Sequence, residues 1–241
     1  MPLPERPTRA SCSVLCFAIS YPTLLTLVYF VLLKDQASSW QMGCYGVGKV
    51  LQFALPLFCV MILLGNRPRR SKRPTAGLAQ ALAFGAVVMI AALLLYQLWL
   101  GPAGLFDGPD DEIRKKVMAF RVTNGWQYLL LALFYALVHS FLEEYYWRWF
   151  VFNQLRQRLS LGWSVFFSSV GFTGHHVVVL AVYFGITSIV TYLLCLAVAI
   201  GGVAWALLYE RHRSLLGPWL SHALVDGAIF AIGYLLIRDS L

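Results

Sequence analysis

Long apolar stretches, broken by short clusters of charge, glycine and proline, run the length of the chain. A hydrocarbon core of about 30 Å takes roughly 20 apolar residues in a helix. By that measure the pattern predicts seven spans, at about 13–33, 44–65, 76–100, 126–150, 163–184, 188–208 and 216–237. Helices are expected because hydrocarbon offers backbone N–H and C=O groups no partner. The expected fold class is therefore all-α, a polytopic transmembrane helical bundle of about seven spans, forming a single membrane domain over 1–241.

The run from Val14 to Leu33 is longer than the apolar part of a signal peptide, and no small-residue cleavage site follows it. It is expected to be a retained helix. Pro22 and Pro56 fall inside spans, where they should kink the helix. Lys49 is placed near one end of the second span and is expected to snorkel toward water. The longest connection, about 101–125, carries Ile113, Val117 and Phe120 at helical spacing. This predicts a short interfacial helix, capped by Asp110, leading into the fourth span. Gly201 and Gly202 make the sixth span rich in small residues, a pattern that lets helix backbones approach closely.

Composition agrees with the pattern. Of the 241 residues, 59% are hydrophobic and 12% charged, about half the charge of a soluble domain, and mean hydropathy is +0.69. The net charge of +8 would suggest nucleic acid in a soluble protein, but here its distribution reports orientation. With the N-terminus cytoplasmic, Arg6, Arg9, Arg67, Arg69, Arg70, Lys72, Arg73, Arg156, Arg158, Arg211 and Arg213 lie inside. Lys34, Arg114, Lys115, Lys116, Arg121 and Arg238 then lie outside. Eleven against six favours an N-terminus in the cytoplasm and a multi-pass protein of the cell (inner) membrane. The lipid bilayer is the expected partner, and nucleic acid is not. Cys12, Cys16, Cys44, Cys59 and Cys195 include no CxxC pair, so no disulfide framework or zinc finger is expected.

A charged side chain at mid-bilayer costs roughly 2.5–3.5 kcal/mol on insertion scales, so such residues should be absent unless they have a role. Here they gather on three spans. The fourth carries Glu143, Glu144 and Arg148; the last two are four apart with the acid first, the favourable order for a pair on one helix face. Glu143 lies about 100° around from Glu144 and can face elsewhere. The fifth span carries Phe172, His175 and His176, with Phe172 and His176 one turn apart. The seventh opens with His222 and Asp226, spaced so that the carboxylate can orient the imidazole. Under the expected topology Glu143 and His222 lie several residues in from the cytoplasmic ends of their helices, with His176 near mid-span. His139, one turn before Glu143, can hydrogen-bond that carboxylate or reach another helix, and the second is expected.

Taken in order, Glu143-Glu144-x-x-x-Arg148, Phe172-x-x-x-His176 and His222-x-x-x-Asp226 resemble the EExxxR, FxxxH and HxxxN/D motifs of the CPBP family. These are the CAAX-processing and bacteriocin-processing intramembrane proteases. Each motif is short, but three in order on separate spans are specific. The resemblance covers about 139–230 and implies a catalytic core over 126–237. It implies an intramembrane endopeptidase that hydrolyses a peptide bond of a membrane-associated peptide or protein with a glutamate-activated water.

The implied catalytic residues are Glu143 as general base, His176 as holder of the water, and His222 with Asp226 at the oxyanion. Glu144, Arg148 and Phe172 would support them. Asp226 stands where prenyl-processing members usually have Asn and cannot donate as an amide does unless protonated, so orienting His222 is its expected part. No cofactor is expected. The rival is a zinc site with Glu143, His176 and His222 as ligands and a fourth position for water, although no HExxH is present. Other functions that the residues allow are a non-proteolytic membrane peptide-binding or immunity protein and a proton-coupled transporter. The expected partner is a peptide or membrane-protein substrate.

Overall fold

The structure is a computed structural model and describes residues 10–65, 71 and 73–241. Arg6, Arg9, Arg67, Arg69, Arg70 and Lys72, which carry much of the expected orientation signal, lie outside the described residues. Among the described residues, seven helices are long and apolar enough to cross a membrane: α1 (Cys12–Leu32), α2 (Ser39–Leu63), α3 (Leu78–Leu100), α5 (Gly125–Arg156), α6 (Leu161–Phe184), α7 (Ile189–His212) and α8 (Leu216–Ser240). An eighth and shorter helix, α4 (Pro109–Ala119), occupies the long connection. No strand occurs among the described residues. The all-α, multi-pass reading holds.

The departures are local and have physical causes. α4 starts on Pro109, whose missing N–H costs nothing at a helix start. Asp110 lies inside its first turn, where Oδ1 accepts from the N–H groups of Gly108 and Asp111. α5 runs to Arg156 rather than ending near 150, because its last turns pack inward, with Gln154 and Leu155 buried. Its start is fixed reciprocally: Asn124 Oδ1 accepts from Gln127 N–H at 3.0 Å, and Gln127 Oε1 accepts from Thr123 N–H at 2.8 Å. Lys49 lies near the middle of α2 rather than at its end, with its ammonium 5.4 Å from the Tyr45 ring centroid and 5.5 Å from that of Phe53. Those aromatic faces accompany the charge.

The chain divides into two compact units, residues 1–72 with 145–210 and residues 73–144 with 211–241. In the second, α3 and α8 form the main helix pair. Small residues one turn apart on each helix bring them together, Ala81 and Gly85 on α3 against Gly217 and Ser221 on α8. A Cβ on Gly85 would stand 2.8 Å from the carbonyl oxygen of Ser221, so only glycine admits this approach. Trp219 packs edge-on to Phe141 and donates to the Leu137 carbonyl at 2.8 Å, fixing the start of α8 against the middle of α5. Tyr128 donates to the Phe230 carbonyl at 2.8 Å and fixes the far end.

In the first unit, α1 packs along α6. Gly171 lets it in, since a Cβ there would lie 2.8 Å from the Trp147 ring and 2.9 Å from Ile19. Pro22 has no N–H to give the carbonyl of Ala18 one turn back. The Tyr146 hydroxyl supplies the missing donor at 2.6 Å. Gly202 of α7 meets Ser169 and Phe172 of α6, the close approach its small-residue pattern implies. Arg156 at the end of α5 pairs with Glu210 of α7 at 3.0 Å.

Candidate active site

Glu143 and Glu144 lie on a short α-helical turn, Ser140–Glu144, between two stretches of α5 with wider i→i+5 bonding, Phe134–His139 and Tyr145–Phe152. Such π-type turns shift the register of side chains around a helix and recur at functional sites. Both carboxylates are buried, Glu143 2% and Glu144 0% exposed. With α5 continuing to Arg156, Glu143 lies about three turns or more from the helix end, deeper than its sequence position suggests.

His222 of α8 is the centre around which the acids of the second unit gather. Its Nδ1 is 3.0 Å from Glu144 Oε1, a hydrogen bond in which the imidazole donates to the carboxylate. That bond leaves Nε2 as the other face of the ring. Asp226 Oδ1, one turn along α8, lies 3.5 Å from Nε2, and Glu143 Oε2 lies 3.8 Å from it. The i,i+4 spacing of His222 and Asp226 thus yields the contact expected of it. The Glu144–His222 bond is a contact between helices that no spacing could announce. A buried imidazole with carboxylates near both nitrogens is held in one orientation and has counter-ions for its charged form.

His139 Nε2 lies 3.9 Å from Glu143 Oε1, an approach to the carboxylate of its own helix that is longer than a hydrogen bond.

The remaining candidates belong to the first unit. His176 Nδ1 is 3.0 Å from the Phe172 carbonyl, so Nδ1–H donates there. The one-turn spacing of the FxxxH motif is thus used through the backbone oxygen, while the Phe172 ring lies 4.8 Å from the imidazole. His175, the neighbour without an assigned role, is buried and parallel to the Trp147 ring at 6.3 Å. Arg148 is 1% exposed. Its guanidinium lies 4.6 Å from the Phe172 ring centroid and 5.4 Å from that of Trp205, and it donates to the Gly202 carbonyl at 3.4 Å. Both rings thus offer cation–π contacts to one buried guanidinium.

Within the second unit, a metal could draw on the carboxylates of Glu143 and Asp226 and on Nε2 of His222. His222 has only Nε2 to give, because Nδ1 is bound to Glu144.

Seven membrane-capable helices with acids and imidazoles inside them, joined to the sequence relationship below, define an integral membrane peptidase. Residues 125–228 match the family model described as Type II CAAX prenyl endopeptidase Rce1-like, a match that supports the CPBP/CAAX family of intramembrane proteases. The matched segment carries all three motifs. No curated protein matches the chain. No solved structure matches it.

Proposed function

We propose that this protein cleaves a peptide bond of a membrane-associated peptide or protein with a water activated by Glu143. The observation that carries this reading is the arrangement around His222: Nδ1 fixed by Glu144, and Nε2 turned toward Glu143 and Asp226. Glu143 takes one proton from water while the water oxygen bonds to the scissile carbonyl carbon. The carbonyl π electrons move onto oxygen, and His222, donating from Nε2 as an imidazolium, stabilises that oxyanion. Collapse breaks the C–N bond, and the proton held by Glu143 passes to the leaving amine. Asp226 orients His222 and balances its charge. His176, held through Nδ1 by the Phe172 carbonyl, has the water-holding role that the resemblance gives it.

No metal takes part in this reading. Zinc held by Glu143, His176 and His222 is the competing mechanism, and its chemistry would be to lower the pKa of a bound water. The substrate class is a peptide or the terminal region of a membrane protein, of which a prenylated CAAX sequence is one candidate. We place the enzyme in the cell membrane with its N-terminus cytoplasmic, on the balance of basic residues.

The test is purified wild type, Glu143→Ala and His222→Ala assayed against a peptide library that includes farnesylated CAAX peptides. Both variants should lose cleavage. If both process peptides as the wild type does, the reading fails. Wild-type activity should survive chelation, with no bound metal on elemental analysis; activity lost to the chelator and restored by zinc would establish the rival mechanism.

A further inference from the structure

We infer that His139, which lies outside the three motifs, is a positioning residue for Glu143; the inference rests on the reading of Glu143 as general base. A carboxylate has two equivalent oxygens and rotates about its terminal bond, so a base of this kind works only if one oxygen is held toward water. Glu143 has an imidazole at each oxygen, His222 Nε2 3.8 Å from Oε2 and His139 Nε2 3.9 Å from Oε1. Both lie just beyond hydrogen-bond length, the loose geometry common in a site without substrate, which tightens when substrate binds. Bracketed in this way, the plane of the carboxylate is set.

His139 is itself held. Phe230 of α8 stacks on Tyr135 at 5.3 Å and 27°, and Tyr135 lies against the His139 ring at 5.2 Å. Tyr135, His139 and Glu143 follow one another at four-residue steps along α5, through the stretch of wider turns from Phe134 to His139. If His139 served only to complete this aromatic stack, phenylalanine would do as well. What phenylalanine would not supply is the nitrogen turned toward Glu143.

The experiment is steady-state cleavage of the library peptide cut fastest by wild type, with thermal unfolding measured alongside. His139→Phe keeps the stack and removes the nitrogen. It should lower kcat by about ten- to a hundredfold, the range for a misplaced catalytic group, with KM changed less than threefold and the melting temperature unmoved. His139→Gln, whose amide nitrogen reaches the place of Nε2, should recover most of kcat. His139→Asn, which reaches only as far as Nδ1, should not. Phenylalanine activity equal to wild type, or equal kcat in the glutamine and asparagine variants, would overturn the inference. If His139→Phe fails to fold, the glutamine and asparagine pair decides it. Glu143→Gln run in parallel separates the two ideas. An inactive Glu143→Gln beside a fully active His139→Phe removes only the role of His139. An active Glu143→Gln removes the reading of Glu143 as base.

Discussion

Gly85 is far in sequence from every motif, yet replacing it should cripple the site. A Cβ at this position on α3 would lie 2.8 Å from the carbonyl oxygen of Ser221, 2.9 Å from its Cα and 3.0 Å from its Oγ. Carbon contacts settle at about 3.5–4.0 Å, so Gly85→Ala forces the two backbones apart by roughly 0.5–1 Å. Two of the three atoms are backbone, and no rotamer change can relieve them. The strain falls one residue before His222, whose ring makes the 3.0 Å bond to Glu144. Overpacking of this kind costs about 1–3 kcal/mol, offset by the roughly 1 kcal/mol that alanine gains over glycine in a helix. Net destabilisation should then be small, about 0–2 kcal/mol on the same principles. The effect on catalysis should be large, since a misplacement near 1 Å can cost about a hundredfold. The assay is cleavage of the best library peptide together with thermal unfolding, with Gly43→Ala as control, a position with nothing within 4 Å of an added Cβ. A Gly85→Ala enzyme within twofold of wild-type kcat would refute this account of how α3 places His222.

Other substitutions probe other parts. Glu144→Ala should cost about 1–3 kcal/mol of stability, read as a lower melting temperature, because it leaves a buried imidazole N–H without its acceptor; Glu144→Gln should cost less. Arg148→Lys should also lower the melting temperature, since a single ammonium cannot meet both rings and the Gly202 carbonyl as the guanidinium does, and a change below half a degree would argue against that role. Tyr146→Phe removes the donor to the Ala18 carbonyl that Pro22 leaves without a helical partner, at a cost of about 1–3 kcal/mol by unfolding. Restoring the helical donor with Pro22→Ala in the same protein should recover part of that loss.

Much of the fold is legible in the sequence because the bilayer imposes one strong rule: apolar runs of sufficient length become helices. The seven spans follow from that rule, and misjudged ends such as that of α5 reflect protein packing extending a helix beyond its apolar run. The i,i+4 pairs are legible for a similar reason, since helix geometry alone brings His222 beside Asp226 and the Phe172 carbonyl beside His176. Contacts between helices are a different matter. The bond from His222 to Glu144 depends on how closely α8 approaches α5. The support that Gly85 gives to Ser221 depends on two small residues facing each other, and Ala81-x-x-x-Gly85 reads along the chain as one more stretch of an apolar helix. The spacing that joins His139 to Glu143 is visible, but it also permits a partner on another helix, and spacing alone does not choose between them.

The central claim is that one carboxylate in this membrane site removes the proton from water. Its most direct measurement is single-turnover cleavage by Glu143→Gln, in which the side chain keeps its shape and loses its basicity. With a melting temperature near that of wild type, the account predicts a rate lower by about 10²–10⁴-fold, unchanged by chelator. A Glu143→Gln enzyme that cuts within tenfold of wild type would contradict it.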